Sequence, residues 1–404
     1  MQGERRMIIK SKKIYTSQGI VDGYILTEGK IIKDIITRDD NYKLNEENVI
    51  DAEDLSVIPG LIDIHIHGAG GWSINGGSSD DIHGMCRYLS SRGTTAFQPT
   101  TGGCSLSELE KSLETIKKAE SVEYMGAKMM GIHMEGPFIS PEKKGIFFPE
   151  DLQKPSAELM NKFIELSGNN IRHVTLAPEL EGAEKLISML CKNNILVSGG
   201  HTNATIEETI KGINEGIRLS THTCNAQRSI HHRQPGALGG YLLDDRVVCE
   251  LICDLHHVHP EMIKLIVKIK TINKICMISD AVMAAGLEPG SYELLNQKVF
   301  IDKDGFSKLP DGTIAGSTKD LIYGVKKMVQ DEGFSMEDVL IMASLNPAGL
   351  CGCEKNKGSI EIEKDADLVI IDNDFNVCYT FIEGKLVYDS NENENYKNPK
   401  VKGC

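Results

Sequence analysis

The chain has 404 residues, 40% of them hydrophobic and 25% charged, which suits a large soluble barrel with an accessory domain and is too much for one small domain. Its formal net charge of −14 argues against nucleic acid or an anionic membrane as partner, since both demand basic surface. A small phosphorylated ligand remains compatible, because it needs only a few local donors.

The first ten residues are charged and carry no apolar core of a secretion signal. No apolar run approaches the roughly 18 residues needed to span a bilayer. The eleven cysteines are irregularly spaced and include no Cys-x-x-Cys pair, which points to free thiols and a cytoplasmic protein. Residues 8–15, 21–27 and 30–36 then read as short strands punctuated by Gly19, Gly23 and Gly29.

The middle of the chain changes rhythm. Eight apolar or β-branched runs, at 57–65, 94–100, 130–135, 173–178, 195–201, 219–225, 248–257 and 275–280, are mostly separated by amphipathic segments such as 106–119 and 156–166. Strands alternating with helices imply a parallel sheet, and eight such units imply an α/β fold of the (β/α)8 TIM-barrel type. Short strands return at 368–371, 377–382 and 385–388. The expected organisation is a small β-sandwich domain from both termini (1–57 and 358–394), a catalytic barrel over 58–357, and a disordered tail at 395–404.

The strand ends carry the chemistry. Run one ends in Asp63-Ile-His65-Ile-His67, run three in His133-Met-Glu135, run five in Gly-Gly-His201, and run six in His222-Thr-Cys-Asn225. Run seven ends in Asp254-Leu-His256-His257, and run eight in Ser279-Asp280. In a (β/α)8 barrel these ends converge on one mouth. His65 and His67, two apart on a strand, share a face and form a ready pair of metal ligands. Glu135, closing an apolar strand, is costly to bury unless paired or metal-bound; the alternative is an exposed loop glutamate. His201 and His222 make a Glu-His-His set with it. Asp280 is placed to accept a proton from a metal-bound water, the alternative being a helix N-cap before Ala281. His83 and His173 read as structural, and His231 and His232 as solvated loop residues.

In combination these motifs resemble the amidohydrolase superfamily, and within it the deacetylases of N-acetylated hexosamine phosphates, over nearly the whole chain. Pro59-Gly-Leu-Ile-Asp-Ile-His-Ile-His67, His133-Met-Glu-Gly-Pro137, Gly200-His-Thr-Asn-Ala204, Thr221-His-Thr-Cys-Asn-Ala226, Arg233-Gln-Pro-Gly236 and Ser279-Asp-Ala281 carry the likeness. The resemblance implies metal-dependent hydrolysis of the acetamide of N-acetyl-D-glucosamine 6-phosphate to D-glucosamine 6-phosphate and acetate, in amino-sugar catabolism. Glu135, His201 and His222 would hold one divalent metal (Zn or Fe), and His65 and His67 would hold a second, with Asp280 as the proton-transfer residue. Substrate contacts would come from Asn225, Ala226, Arg233, His257, Ile146, Ile314, Ala315 and Gly316, and a homodimer would complete the phosphate site. Run four lacks the lysine typical of relatives that open cyclic amides.

Two departures bear on the substrate. Phe147 stands where the family commonly places a sugar-contacting histidine, and Leu255 stands where it has glycine. The galacto epimer, N-acetylgalactosamine 6-phosphate, is therefore the alternative substrate. A non-catalytic scaffold of the same fold is a third reading, but such proteins usually lose ligands, and here every metal position is filled.

Overall fold

A computed structural model describes residues 6–38, 48–294, 297–303, 305–310, 312, 314, 316–392, 396–399 and 401. Eight parallel strands form a barrel: β1 (Leu61–Ile66), β2 (Thr94–Thr101), β3 (Ile132–Glu135), β4 (Ile171–Leu176), β5 (Leu196–Gly199), β6 (Leu219–Ser220), β7 (Val248–Ile252) and β8 (Ile275–Ile278). Each pairs with the next in chain order. No regular ladder joins β8 to β1. The gap is closed by a bridge between Ile66 and Ala281, with Asp280 N–H donating to the His65 carbonyl at 3.0 Å.

All eight runs read from the sequence correspond to these strands, because strands buried on both faces are written in apolar residues. Helices cover the outside, and their boundaries follow from local chemistry. Ser78, Ser105 and Thr205 cap helices Ser79–Ser90, Leu106–Glu120 and Ile206–Glu215, each with an acidic residue three places on that bonds back to the cap. Along the first of these helices Ile82, Met85, Cys86 and Leu89 are buried, the spacing of a single inward stripe. Ile62, Ala96, Leu219, Ile252, Cys276 and Ile278, from five of the strands, belong to one apolar cluster.

The terminal strands make one continuous eight-stranded mixed sheet rather than two separate sheets. Strands from the amino end (Arg6–Thr16, Gly19–Glu28, Ile31–Thr37, Val49–Asp51, Ser56–Pro59) join those from the carboxyl end (Leu368–Ile371, Val377–Ile382, Lys385–Asp389) through the antiparallel pairing of Ser56–Pro59 with Leu368–Ile371. Ile9, Ile14, Ile25, Ile32, Leu368, Ile370 and Phe381 pack together in its core.

The sequence reading did not foresee two features. A three-stranded sheet (Gly290–Leu294, Gln297–Ile301, Ser307–Lys308) follows β8, where no such insertion was expected. Within 395–404, expected to be a disordered tail, the described residues Tyr396 and Asn398 are bonded to the loop after β1. Asn398 donates its backbone N–H to the Gly70 carbonyl at 2.7 Å and its side-chain amide to the Gly71 carbonyl at 3.0 Å. Trp72 Nε1 donates to the Tyr396 carbonyl at 2.9 Å. Among the described residues no helix is long and apolar enough to cross a membrane, and all ten described cysteines are free.

Candidate metal centre

The carboxyl ends of the strands surround a cavity of about 380 Å³. Two groups of three side chains meet at its base: Glu135, His201 and His222, and His65, His67 and Asp280, with His65 fully buried behind the lining. In the first group Glu135 Oε1 lies 3.2 Å from His201 Nε2 and 3.1 Å from His222 Nε2. The two imidazole nitrogens are themselves 3.0 Å apart. In the second group Asp280 Oδ1 lies 3.5 Å from His65 Nε2 and 3.4 Å from His67 Nε2. Glu135 joins the groups, with Oε1 3.4 Å from His65 Nε2 and Oε2 3.4 Å from His67 Nε2.

Convergence of four imidazole nitrogens on two carboxylates fits divalent cations better than it fits a hydrogen-bonded cluster. His65 Nε2 is fully buried and makes no hydrogen bond, an expensive state for a polar atom without a further partner. The proton balance agrees. Burial opposes charge on His65, yet Glu135, Glu250 and Asp280 hold it well above the usual histidine range. For His67 burial is outweighed by Asp280 and Glu135, which bring it to about 9. Glu135 is held well below the carboxylate range against burial, chiefly by His65 and His201. Asp280 is likewise lowered to about 2 against burial, by His65 and His67. A site that gathers protons on imidazoles beside ionised carboxylates is one where a cation takes the protons' place.

The backbone is bent to make this arrangement. His201, His222 and Asp280 have φ of 44°, 28° and 49°, in the left-handed region that costs non-glycine residues about 1–2 kcal/mol each. Gly102 leaves room beside them: a Cβ there would sit 3.2 Å from Glu135 Oε2. His201 is oriented from behind, Nδ1 lying 2.7 Å from the Lys143 carbonyl.

Other expectations divide. Glu135 is buried, which removes the exposed-loop alternative. No helix begins at Ala281, which removes the N-cap alternative for Asp280. His83 bonds the Ala119 carbonyl at 2.8 Å, far from the mouth. His173 stacks on His133 with ring centres 3.7 Å apart, and burial keeps both neutral. On β4 the polar residue beside this pair is Thr175, hydrogen-bonded to His133 at 2.8 Å.

Asn225, Ala226, His257, Ile146, Ile314 and Gly316 line the cavity, and Phe147 joins them. Ala315 lies outside the described residues. Arg233 is not brought to the cavity of its own chain. It is exposed on a turn closed by the His231–Gln234 bridge, with Nη1 2.7 Å from His232 Nε2. Of the adjacent histidines on β7's loop, His257 faces the cavity and is anchored by Asp254 Oδ2 at 2.7 Å, while His256 stacks on Phe306 at 3.9 Å. Leu255 has φ 62°, so leucine occupies the left-handed conformation that a glycine would take without strain.

The sequence reading missed three residues here. Ser73 and Asn75 line the cavity from the loop after β1, and Asn75 Oδ1 is buried without a hydrogen-bond partner. Glu250, fully buried on β7, bonds the ring of His65 at 3.0 Å and the backbone N–H of His222 at 2.9 Å. A carboxylate inside the run Val-Cys-Glu-Leu-Ile was the available signal for Glu250.

An eight-stranded parallel barrel with two clusters of candidate metal ligands at its strand ends fits the class of metal-dependent hydrolases. The chain belongs to the amidohydrolase family, whose model matches residues 56–387. It is 34% identical to an N-acetylglucosamine-6-phosphate deacetylase of Bacillus subtilis (strain 168), over 96% of this chain and 98% of that protein. It is 30% identical to an N-acetylgalactosamine-6-phosphate deacetylase of Escherichia coli O157:H7, over 94% and 98%. Among solved structures, N-acetylglucosamine-6-phosphate deacetylase from Pasteurella multocida superposes with a TM-score of 0.88 at 29% identity, covering 95% of this chain and 99% of that one. The protein is accordingly a hydrolase acting on amides.

Proposed function

We propose that this protein removes the acetyl group of N-acetyl-D-glucosamine 6-phosphate, releasing acetate and D-glucosamine 6-phosphate. The observation that carries the reading is the meeting of Glu135, His201 and His222 with His65, His67 and Asp280 at the base of one cavity. Glu135, His201 and His222 would hold one divalent cation, Zn or Fe, and His65 and His67 a second, approached by Asp280. The chemistry such cations supply is polarisation of the amide carbonyl and a lowered pKa for water. Asp280, ionised and within 3.5 Å of His65 and His67, accepts the proton of the attacking water and returns it to the departing amine nitrogen. His257, tied through Nδ1 to Asp254, is oriented to present its other nitrogen to substrate.

Asn225 and Ala226 would bind the phosphate, while Ile146, Ile314, Ala315 and Gly316 would line the acetyl and sugar side. Arg233 suits a phosphate through its planar fork of donors. Its exposure in the single chain supports a homodimer in which it serves the partner's cavity. The same reading makes the protein a cytoplasmic enzyme of amino-sugar catabolism.

One observation favours the galacto epimer as alternative. Phe147 occupies the cavity wall, where its ring lies 5.4 Å from that of His201 and offers no hydrogen bond to a sugar hydroxyl. A panel of acetylated gluco- and galactosamine 6-phosphates, with the unphosphorylated sugars beside them, decides between the readings. The highest kcat/KM on the gluco 6-phosphate is expected. A preference for the galacto compound would transfer the assignment to the epimer, and no turnover of any phosphorylated sugar would refute both.

A further inference from the structure

The middle of β7 carries a carboxylate that no step above uses. Glu250 is fully buried. Its neighbours Cys249 and Leu251 pack with Leu238, Ile263 and Ile266 of the helical layer. Strand alternation therefore turns Glu250 to the barrel interior. There one oxygen, Oε2, serves two partners: the His222 backbone N–H at 2.9 Å and His65 Nδ1 at 3.0 Å. A carboxylate oxygen accepts, so the hydrogen in the second contact belongs to Nδ1. When the His65 ring is neutral, its lone pair is then on Nε2. That nitrogen has no hydrogen bond and points at Glu135 Oε1 (3.4 Å) and Asp280 Oδ1 (3.5 Å).

We infer that Glu250 is a positioning residue that builds the His65–His67–Asp280 cation site, by holding the His65 ring with Nε2 free toward the cation, and that it ties this site to the Glu135–His201–His222 site through the His222 main chain. The inference rests on the two-cation reading proposed above. Its consequence is asymmetric. Glu250 grips the ring of His65 but only the backbone of His222. Removing the carboxylate should therefore weaken the His65 site much more than the other. A partner that only filled space would show no such bias between the two cations. A histidine ligand's outer partner fixes ring orientation and basicity, and its loss typically lowers metal affinity about 10–100-fold.

The test is titration of the metal-free full chain with Co²⁺, reading the visible absorption of the bound ion and the metal retained after gel filtration, for wild type, E250A, E250Q and H65A. Wild type should take two ions, and H65A supplies the spectrum of a chain lacking the second. E250A should retain the first ion and bind the second about 10–100-fold more weakly. E250Q should fall between them, because an amide oxygen keeps an acceptor but loses the charge that strengthens the bond. Circular dichroism checks folding; should E250A not fold, E250Q decides alone. Two ions in wild type with unchanged second-ion affinity in the folded variants would overturn the role of Glu250 alone, as would an equal loss from both sites. A wild type that takes only one ion would overturn the two-cation reading and this role with it.

Discussion

Replacing Asp280 by asparagine removes a proton acceptor while leaving shape and main chain unchanged. Asp280 Oδ1 stands 3.4 Å from His67 Nε2 and 3.5 Å from His65 Nε2, and these imidazoles hold its carboxyl at about 2 against the opposing effect of burial. At neutral pH the wild-type group is therefore almost wholly ionised and ready to accept. An amide in its place has no comparable basicity. Loss of a positioned general base costs about 10²–10⁴-fold in rate, or about 3–5 kcal/mol at 1.36 kcal/mol per tenfold. The assay is acetate release from N-acetyl-D-glucosamine 6-phosphate under saturating substrate, with bound metal measured by elemental analysis on the same preparation. D280N should keep the ion held by Glu135, His201 and His222 and lose nearly all turnover. A D280N enzyme with a kcat within about tenfold of wild type would refute the proton-transfer assignment.

Further outcomes follow from the same geometry. Chelation should abolish activity, and H65A should carry one ion fewer per chain than wild type, by elemental analysis; equal metal content would remove His65 from the ligand set. Asp63 is buried, with Oδ2 unpartnered, and burial raises its carboxyl to about 7 against the bonds from Ser279 and His65. A folded-state value above the unfolded one of about 3.9 means a contribution fully present below about pH 4 and lost as pH rises through about 7. At about 1.4 kcal/mol per unit, the metal-free wild type should lose up to about 4 kcal/mol across that window, and D63N should flatten the dependence of Tm on pH. An unchanged slope in D63N would place the titration elsewhere. F147H should restore a hydrogen-bond donor to the cavity wall and change the gluco-to-galacto ratio of kcat/KM by about tenfold or more; an unchanged ratio would show that the wall does not read hydroxyl stereochemistry.

The barrel was legible in the sequence because a parallel sheet covered on both faces must be written in apolar runs, and all eight runs were present. The principal site residues were legible for a related reason. An imidazole or carboxylate that closes such a run has no solvent-facing side to retreat to, which singled out His65, His67, Glu135 and Asp280, while His201 and His222 gained weight only beside Glu135. What the chain alone could not supply was partnership across long separations. Glu250 carried a local signal, a carboxylate inside an apolar run, but its partner His65 lies 185 positions earlier and nothing in the run names it. The hold of Asn398 on the Gly70–Gly71 turn and the three-stranded insertion after β8 have no local signature for the same reason. Arg233 shows the converse: its motif was plain, but only the tertiary structure could place it on an exposed turn away from its own cavity. Hydrophobic periodicity determined the barrel and which residues close its strands, because it records burial residue by residue. Tertiary structure alone decided which of those residues meet, because convergence of the strand ends is a property of the closed barrel.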